Sequence, residues 1–278
     1  MVVQHNLTAM NSNRMLGATQ VSQAKSTEKL SSGYKINRAA DDAAGLAISE
    51  KMRRQIRGLT QATANAQDGI SAVQTAEGAL NEVHDMLQRM NELAIKAGNE
   101  TLQSVDKSYI QSEMNALQTE INRVAETTTF NEQKLLSGEF SAGKKIQVGS
   151  EVSSANQIGI TIRKMDWSTI TASATNSALN VTSDYTTLTN TVDTIKEAMK
   201  QVSTQRSDLG AVQNRLEHTV ANLKNVVENT TAAESAIRDT DMASEMVRFA
   251  NNNILQQAGQ AMLAQANQAN QGVLALLA

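Results

Sequence analysis

The amino-acid sequence predicts a mainly α-helical protein: long antiparallel helical rods in a coiled-coil-like bundle, a small β-hairpin region, and terminal helices that pair with each other. Three observations predict this fold class. The 278 residues contain no proline, the residue that most often breaks a helix. Aromatic residues make up only 3% of the chain, so alanine and aliphatic side chains must form the core. Apolar residues also recur at steps of three and four over long segments, as in amphipathic helices.

The N-terminal part, residues 1–40, is predicted to hold one helix of an inner domain. From Asn6 to Lys29 the apolar positions follow a helical period only weakly, so this helix is expected to need a partner. Ser31-Ser32-Gly33 predicts its end, because glycine commonly follows the last turn of a helix.

Residues 41–165 are predicted to form the first part of a rod domain, with two helices and a β-hairpin. Asp41 and Asp42 lie at the start of the long helix, where the helix dipole favours negative charge. Its apolar stripe keeps a period of roughly 3.5 to 3.6 residues, for a helix about 75 Å long that needs partners along its length. Gly98-Asn99 predicts its end. The stripe comprises Met52, Ile56, Leu59, Ala66, Ile70, Val73, Leu80, Val83, Leu87, Met90 and Ala94.

A shorter helix and a β-hairpin follow the long helix. The shorter helix is predicted to lie antiparallel to the long one, because the connection between them is short. Its apolar positions are Ile110, Met114, Leu117, Ile121 and Val124. Between Phe130 and Met165 the apolar period changes to two, which predicts two paired strands. One strand carries Ile146 and Val148, and the other carries Ile158, Ile160 and Ile162.

Three segments complete the predicted organisation. Residues 166–185 are rich in serine and threonine and are predicted to form an exposed linker. Residues 186–238 show helical periodicity again and predict a C-terminal rod helix, the partner of the first long helix. Residues 239–278 predict a C-terminal helix of the inner domain, with acidic residues at its start. This mirrored layout brings the two termini together.

Neither end of the chain carries a formal charge. There is none from Met1 to Asn13 and none from Phe249 to Ala278, where glutamine and asparagine take the place of charged residues. Amides can hydrogen-bond to a neighbouring copy, whereas identical charges stacked together would repel each other or lose hydration. The sequence therefore predicts open-ended self-association into a helical filament. The predicted polymerisation residues are Leu7, Met10, Val21, Leu255, Ala258, Met262, Ala266, Val273 and Leu277.

Other classes of function find little support in the sequence. The three histidines have no second ligand at metal spacing, there is no cysteine, and no glycine-rich phosphate loop occurs, so we expect no enzyme, metal or cofactor. A net charge of −3 does not favour nucleic acid. No apolar run is long enough to insert in a membrane, and the N-terminus lacks the pattern of a cleaved signal peptide.

Two long motifs resemble the signatures of bacterial flagellin. They are Ser32–Ile48, which reads SGYKINRAADDAAGLAI, and Asn252–Gln268, which reads NNILQQAGQAMLAQANQ. The chain resembles a short flagellin that lacks the variable outer domains, and Ala269-Asn270 departs from the apolar residue and proline of many relatives. The resemblance implies a structural subunit of the extracellular flagellar filament, used in swimming and exported through the flagellum's own channel. It also implies four partners: further copies, the hook-associated junction protein, the cap protein and an export chaperone.

A second patch resembles the site by which flagellins are recognised by Toll-like receptor 5. The resemblance implies that Arg89 offers a planar cation, Leu93 an apolar knob and Glu113 an acceptor. Asn91 departs from the arginine frequent in strongly stimulating relatives. The implied receptor-binding residues are Gln88, Arg89, Met90, Glu92, Leu93, Ile95 and Glu113.

Two alternatives remain open at this point. A hook–filament junction protein shares the terminal helices, but its family carries a proline after the aspartate pair, where this chain has Ala43-Ala44-Gly45. A secreted, membrane-active amphipathic protein would need a cationic polar face, and the polar face of the tail has no cation.

Overall fold

The computed structural model describes residues 6–172, 179–182 and 185–275. The helices are α1 (Leu7–Ser32), α2 (Ala43–Ala97), α3 (Ser104–Thr127), α4 (Trp167–Ile170), α5 (Tyr185–Arg238) and α6 (Met242–Ala275). The strands are β1 (Thr129–Phe130), β2 (Gln133–Lys134), β3 (Lys144–Gln147) and β4 (Gln157–Ile160). The prediction of a mainly α-helical chain with long helices and a small β region is confirmed.

The chain divides into two compact units. The first contains the residues up to Gln55 and those from Glu228 onward, and the second contains Ile56–Val227. These boundaries fall inside α2 and α5, whereas the sequence-based boundaries after residues 40 and 238 follow the loops. The difference arises because a helix can continue without a break while its packing partners change.

In the first unit the two terminal helices pair, as predicted. The side-chain amide of Asn6 donates to the carbonyl of Ala266 at 3.0 Å, and that of Asn252 donates to the hydroxyl of Ser22 at 3.1 Å. The start of α1 therefore lies beside the end of α6, so the pair is antiparallel. Leu16 is buried between them and lies against Gly259.

The turn that follows α1 is joined by backbone hydrogen bonds to the turn that follows α5. We call these two turns, Gly33–Lys35 and Arg238–Thr240, the clasp. Lys35 N donates to Arg238 O at 2.6 Å, and Thr240 N donates to Gly33 O at 2.9 Å. The Arg238 guanidinium also stacks 4.7 Å from the Tyr34 ring centroid and donates to Glu50 Oε1 at 2.9 Å. The clasp thus joins the turn where α1 ends to the turn that precedes α6.

The aspartate pair before α2 has the electrostatic role that the sequence predicts. Asp42 Oδ1 accepts a hydrogen bond from Gly45 N at 2.9 Å, at the first turn of α2. Asp41 Oδ2 accepts from the backbone N–H groups of Arg38 and Asn37, and the Arg38 bond is the main cause of a lowered pKa for the Asp41 carboxyl. Both carboxylates therefore shape the turn and the helix start.

The core of the second unit follows a heptad pattern. Its buried α2 positions alternate steps of three and four, and buried α5 positions recur at every seventh residue. The α2 positions include Val73, Ala76, Leu80, Val83, Leu87, Met90, Ala94 and Ala97, and the α5 positions are Ile195, Val202, Leu209, Leu216 and Leu223. Met114 and Ile121 of α3 complete this core, so the coiled-coil-like packing is confirmed.

Two antiparallel strand pairs lie in the second unit. The pair β3–β4 has the predicted hairpin register, with Ile146 opposite Ile158. Residues Val148 and Ile162 lie just beyond the strand ends. The pair β1–β2 was not predicted, because its two-residue turn has Glu132 at a φ of 63°, where glycine normally signals such a turn.

The serine- and threonine-rich segment is packed at both described ends. Trp167, Ile170 and Val181 are buried, so the prediction of an exposed linker is wrong for these residues. Trp167 N donates to Asn122 Oδ1 at 2.9 Å, and Val181 N donates to Gln111 Oε1 at 2.9 Å. The apolar side chains of this segment are too far apart in the sequence to show a helical or strand period, and they are nevertheless buried. Residues 173–178 and 183–184 of this predicted linker lie outside the described residues.

Asp166, just before α4, provides a pH-dependent part of the stability. Burial alone would raise its pKa, but hydrogen bonds from Thr169, Ser168 and Lys164 outweigh burial and lower the pKa from 3.8 to about 2. This stabilisation is present above about pH 4 and is lost as the pH falls towards 2. We expect Asp166→Asn to lower the free energy of unfolding at pH 7 by about 1–2 kcal/mol.

Urea unfolding from pH 7 to pH 2.5 measures this effect, with exposed Asp208→Asn as the control. The difference between Asp166→Asn and the parent should shrink as the pH falls, because the parent then loses the same ionised form. A difference that stays constant across this range would contradict the assigned role of the carboxylate.

Candidate functional site

The terminal helices expose large apolar side chains to solvent. Five predicted polymerisation residues have exposed fractions between 56% and 67%: Leu7, Met10, Val21, Leu255 and Met262. Ala258 is also exposed, and Ala266 is half-buried. We call Leu7, Met10, Val21, Leu255, Ala258 and Met262 the assembly surface. The backbone of Val273 lies in α6, and Leu277 lies outside the described residues.

The same helices form a groove of about 580 Å³ where α1 runs along α6. Its apolar lining includes Met15, Leu255 and Met262, and its polar lining includes the uncharged side chains of Asn11 and Ser22. Exposed apolar surface of this extent, without formal charge, is typical of a surface that packs against other polypeptide. Chemically, such a groove can bury apolar side chains and pair amides and hydroxyls, and its described lining carries no titratable side chain.

Further apolar residues of the first unit are exposed although the sequence did not single them out. They are Met15, Ile48, Met242, Met246, Val247 and Ile254. All except Ile48 lie on the terminal helices α1 and α6. Of these residues, Ile254 lies in the uncharged tail, whereas charged residues such as Arg14, Glu245 and Arg248 stand near the others, so neither the apolar stripe nor the absence of charge marked them.

Of the predicted receptor-binding residues, Arg89 and Glu113 are brought together across α2 and α3. Arg89 Nε and Nη2 donate to Glu113 Oε1 at 3.0 and 2.9 Å, and Nη1 donates to Glu92 Oε2 at 3.4 Å. The hydrogen bond that Arg89 donates to Glu113 is the main cause of a raised pKa for Arg89. The pair is exposed, and Gln88 beside it contacts His84 at 3.0 Å.

Two residues of the same predicted set point into the protein. Met90 is fully buried because it occupies a heptad core position of α2, and Leu93, next to the core position Ala94, is only 2% exposed. The Leu93 side chain therefore lies in the core of the folded subunit, and its contact with a receptor stays a prediction. Ile95, on the opposite side of the helix, is 64% exposed and is the apolar side chain that this patch offers.

Membrane-spanning helices and metal-binding clusters can be assessed for residues 6–172, 179–182 and 185–275, which the structure describes. Within them, no helix combines the length and the apolarity that crossing a bilayer requires. No group of three or more acidic or histidine side chains is placed to hold a metal ion in that part of the chain.

Comparison with known proteins places these features in a family. The family "Bacterial flagellin N-terminal helical region" matches residues 3–141, and "Bacterial flagellin C-terminal helical region" matches residues 192–277. A flagellin of Halalkalibacterium halodurans is 54% identical over 278 residues and covers 100% of both chains. A flagellin of Bacillus subtilis is 48% identical over 306 residues, again with 100% of both chains covered.

A solved structure is similar in part. The crystal structure of Bacillus cereus flagellin has 25% identity and a TM-score of 0.48, and the match covers 58% of this chain and 88% of that one. The two family matches and the full-length relatives together favour a flagellin over the hook–filament junction alternative. The chain belongs to the bacterial flagellin family, whose members are structural, non-catalytic subunits of the flagellar filament that drives motility.

Proposed function

We propose that the subunits polymerise through the assembly surface of α1 and α6. The observation that carries this proposal is the set of large apolar side chains exposed on α1 and α6, the helices that contain the uncharged ends of the chain. Full burial of one such side chain contributes about 1.5–3 kcal/mol. Several of them together can therefore offset the loss of freedom on association, which a desolvated charge would oppose.

The experiment is seeded polymerisation, viewed by electron microscopy, of the full chain and of a chain truncated after Arg248. The truncated chain lacks most of α6 and with it Leu255, Ala258 and Met262. We expect filaments from the full chain and none from the truncated one. Thermal unfolding of the second unit in both chains controls for folding. Filaments from a truncated chain would contradict the role of α6.

The route to the filament follows from the same proposal. The chain leaves the cell without a cleaved signal peptide, through the flagellum's own channel, and works as an extracellular filament. Its terminal helices supply the contacts for further copies, for the hook-associated junction and cap proteins, and for an export chaperone on the C-terminal region. An unpolymerised helix with exposed apolar residues supports a chaperone there. Recovery of a secreted chain with a cleaved N-terminus would contradict this route.

A second candidate function is recognition by Toll-like receptor 5 at the Arg89–Glu113 pair. The pair bridges two helices, and the Arg89 and Glu113 side chains are 52% and 45% exposed. Ile95 adds an exposed apolar side chain two residues beyond the buried Leu93. Charge-assisted hydrogen bonds with an arginine at their centre are common where binding energy concentrates in an interface.

Binding of the purified receptor ectodomain to the monomer tests this function. We expect Arg89→Ala to weaken binding by about tenfold or more, as for an interface arginine. Arg123→Ala is the matched control, because Arg123 forms a similar exposed ion pair with Glu120 elsewhere on α3. Equal binding by the parent and both variants would rule out a role for Arg89.

A further inference from the structure

Methionine exposure differs between the terminal helices and the rest of the described chain. The described methionines that are exposed all belong to the first unit: Met10, Met15, Met242, Met246 and Met262, with exposed fractions from 46% to 64%. In the second unit Met90, Met114 and Met165 are buried, and Met86 and Met199 are half-buried. Met52 of α2, in the first unit, is also half-buried. The exposed methionine side chains therefore lie on the terminal helices α1 and α6.

This distribution has a chemical consequence, because the methionine thioether is oxidised readily where an oxidant can reach it. Met15 and Met262 line the same groove between α1 and α6, and Met10 and Met262 belong to the assembly surface. A change of polarity at these sulfur atoms therefore falls on the contacts that the proposed assembly uses.

We propose that these five methionines form an oxidation site at which peroxide blocks assembly of the free subunit. The inference rests on the proposed function of the assembly surface. The five side chains are called the methionine site below. In the filament, neighbouring copies cover the terminal helices, so the methionine site is accessible to peroxide only before assembly.

The reaction is a two-electron oxidation by hydrogen peroxide. A sulfur lone pair attacks one peroxide oxygen, an S–O bond forms and the O–O bond breaks. The proton of the transferred hydroxyl moves to the leaving oxygen, so the products are methionine sulfoxide and water. The sulfur is oxidised, the peroxide is reduced, and the chain keeps its net charge.

The sulfoxide changes what the side chain needs from its surroundings. Its oxygen is a strong hydrogen-bond acceptor that water satisfies in the free subunit, so the fold of the first unit tolerates it at exposed positions. When a neighbouring copy covers the oxygen without offering a donor, that hydration is lost. One such oxygen per subunit is expected to raise the critical concentration for polymerisation about tenfold, and two in one groove raise it further.

The test treats purified monomer with hydrogen peroxide, maps sulfoxides by peptide mass spectrometry and then measures seeded polymerisation. We expect oxidation at the methionine site before Met86 and Met199, and a critical concentration at least about tenfold higher. Preformed filaments treated in the same way should be oxidised far more slowly at the methionine site. Monomer that is oxidised there and still polymerises normally overturns the inference.

A variant with all five residues changed to leucine provides the matched control. Leucine keeps the apolar volume and cannot be oxidised, so peroxide should leave its polymerisation unchanged. Loss of assembly by the treated variant, as large as for the parent, overturns the inference because another lesion would be responsible. A variant with Met86→Leu and Met199→Leu should remain as sensitive as the parent.

Reduction provides a readout that does not depend on any substitution. Incubation of the oxidised parent with methionine sulfoxide reductases and a thiol should restore the original critical concentration, and a failure to restore it after complete reduction counts against the inference. If the untreated parent does not polymerise, the proposed function itself fails. Failure of the proposed function is thus seen before any peroxide is added, whereas failure of the oxidation proposal is seen only after treatment.

Discussion

A chain carrying Leu255→Glu and Met262→Glu is expected to remain folded as a monomer and to form no filaments. Both side chains are more than half exposed in the subunit, so the new carboxylates stay hydrated there and cost little stability. In an assembly the same carboxylates would be buried against a neighbouring copy and repeated in every subunit. Desolvation and like-charge repulsion would then oppose each contact.

The matched control is the pair Leu255→Gln and Met262→Gln. Glutamine has the size of glutamate and no charge, and amides already occupy much of the tail. We expect the glutamine variant to polymerise at a higher critical concentration and the glutamate variant not at all. Pelleting by centrifugation, with circular dichroism of the monomers, measures both properties. Equal polymerisation of the two variants would show that charge is not the deciding property of this surface.

Substitution of Leu93 by alanine is expected to lower the free energy of unfolding by about 2–5 kcal/mol. Leu93 is almost completely buried in the core of the second unit, so its truncation removes apolar contacts and leaves a cavity. The free energy is measured by urea unfolding of the monomer, followed by circular dichroism.

Ile95→Ala is the control for that experiment, because Ile95 is exposed on the same helix two residues away. Its effect on stability should stay within about 0.5 kcal/mol. Under the proposed recognition by Toll-like receptor 5, Ile95→Ala weakens receptor binding without lowering the free energy of unfolding. Leu93→Ala affects binding only by destabilising the folded core. A stable Leu93→Ala variant would contradict the core role of Leu93.

The heptad core of the second unit was predictable because it depends on local periodicity. Leu80, Leu87 and Met90 repeat with the period that places them on one side of a helix, and no proline interrupts the run. The ends of α2 were predictable for the same local reason, since Asp42 caps its start and Gly98 follows its last residue. Pairing of α1 with α6 followed from the mirrored order of the elements.

What the sequence did not reveal depends on contacts between distant residues. Gln111 accepts from the backbone of Val181 and donates to that of Leu179, and no periodic signal marks this pairing. The receptor motif likewise did not reveal that the Leu93 side chain is buried. A motif gives the order of residues along the chain, whereas the assignment of a side chain to the core or to the surface requires the helix phase.

The clasp between Gly33–Lys35 and Arg238–Thr240 also constrains the kinetics of folding. Arg238 of the clasp also forms a salt bridge with Glu50, which is 188 residues away in the sequence. Contacts of such high sequence separation form late, because the entropy of closing a long loop must be overcome first. The hairpin of α2 and α3 can form early from local contacts. Refolding should therefore end with closure of the clasp, when the last quarter of the chain finally meets the first.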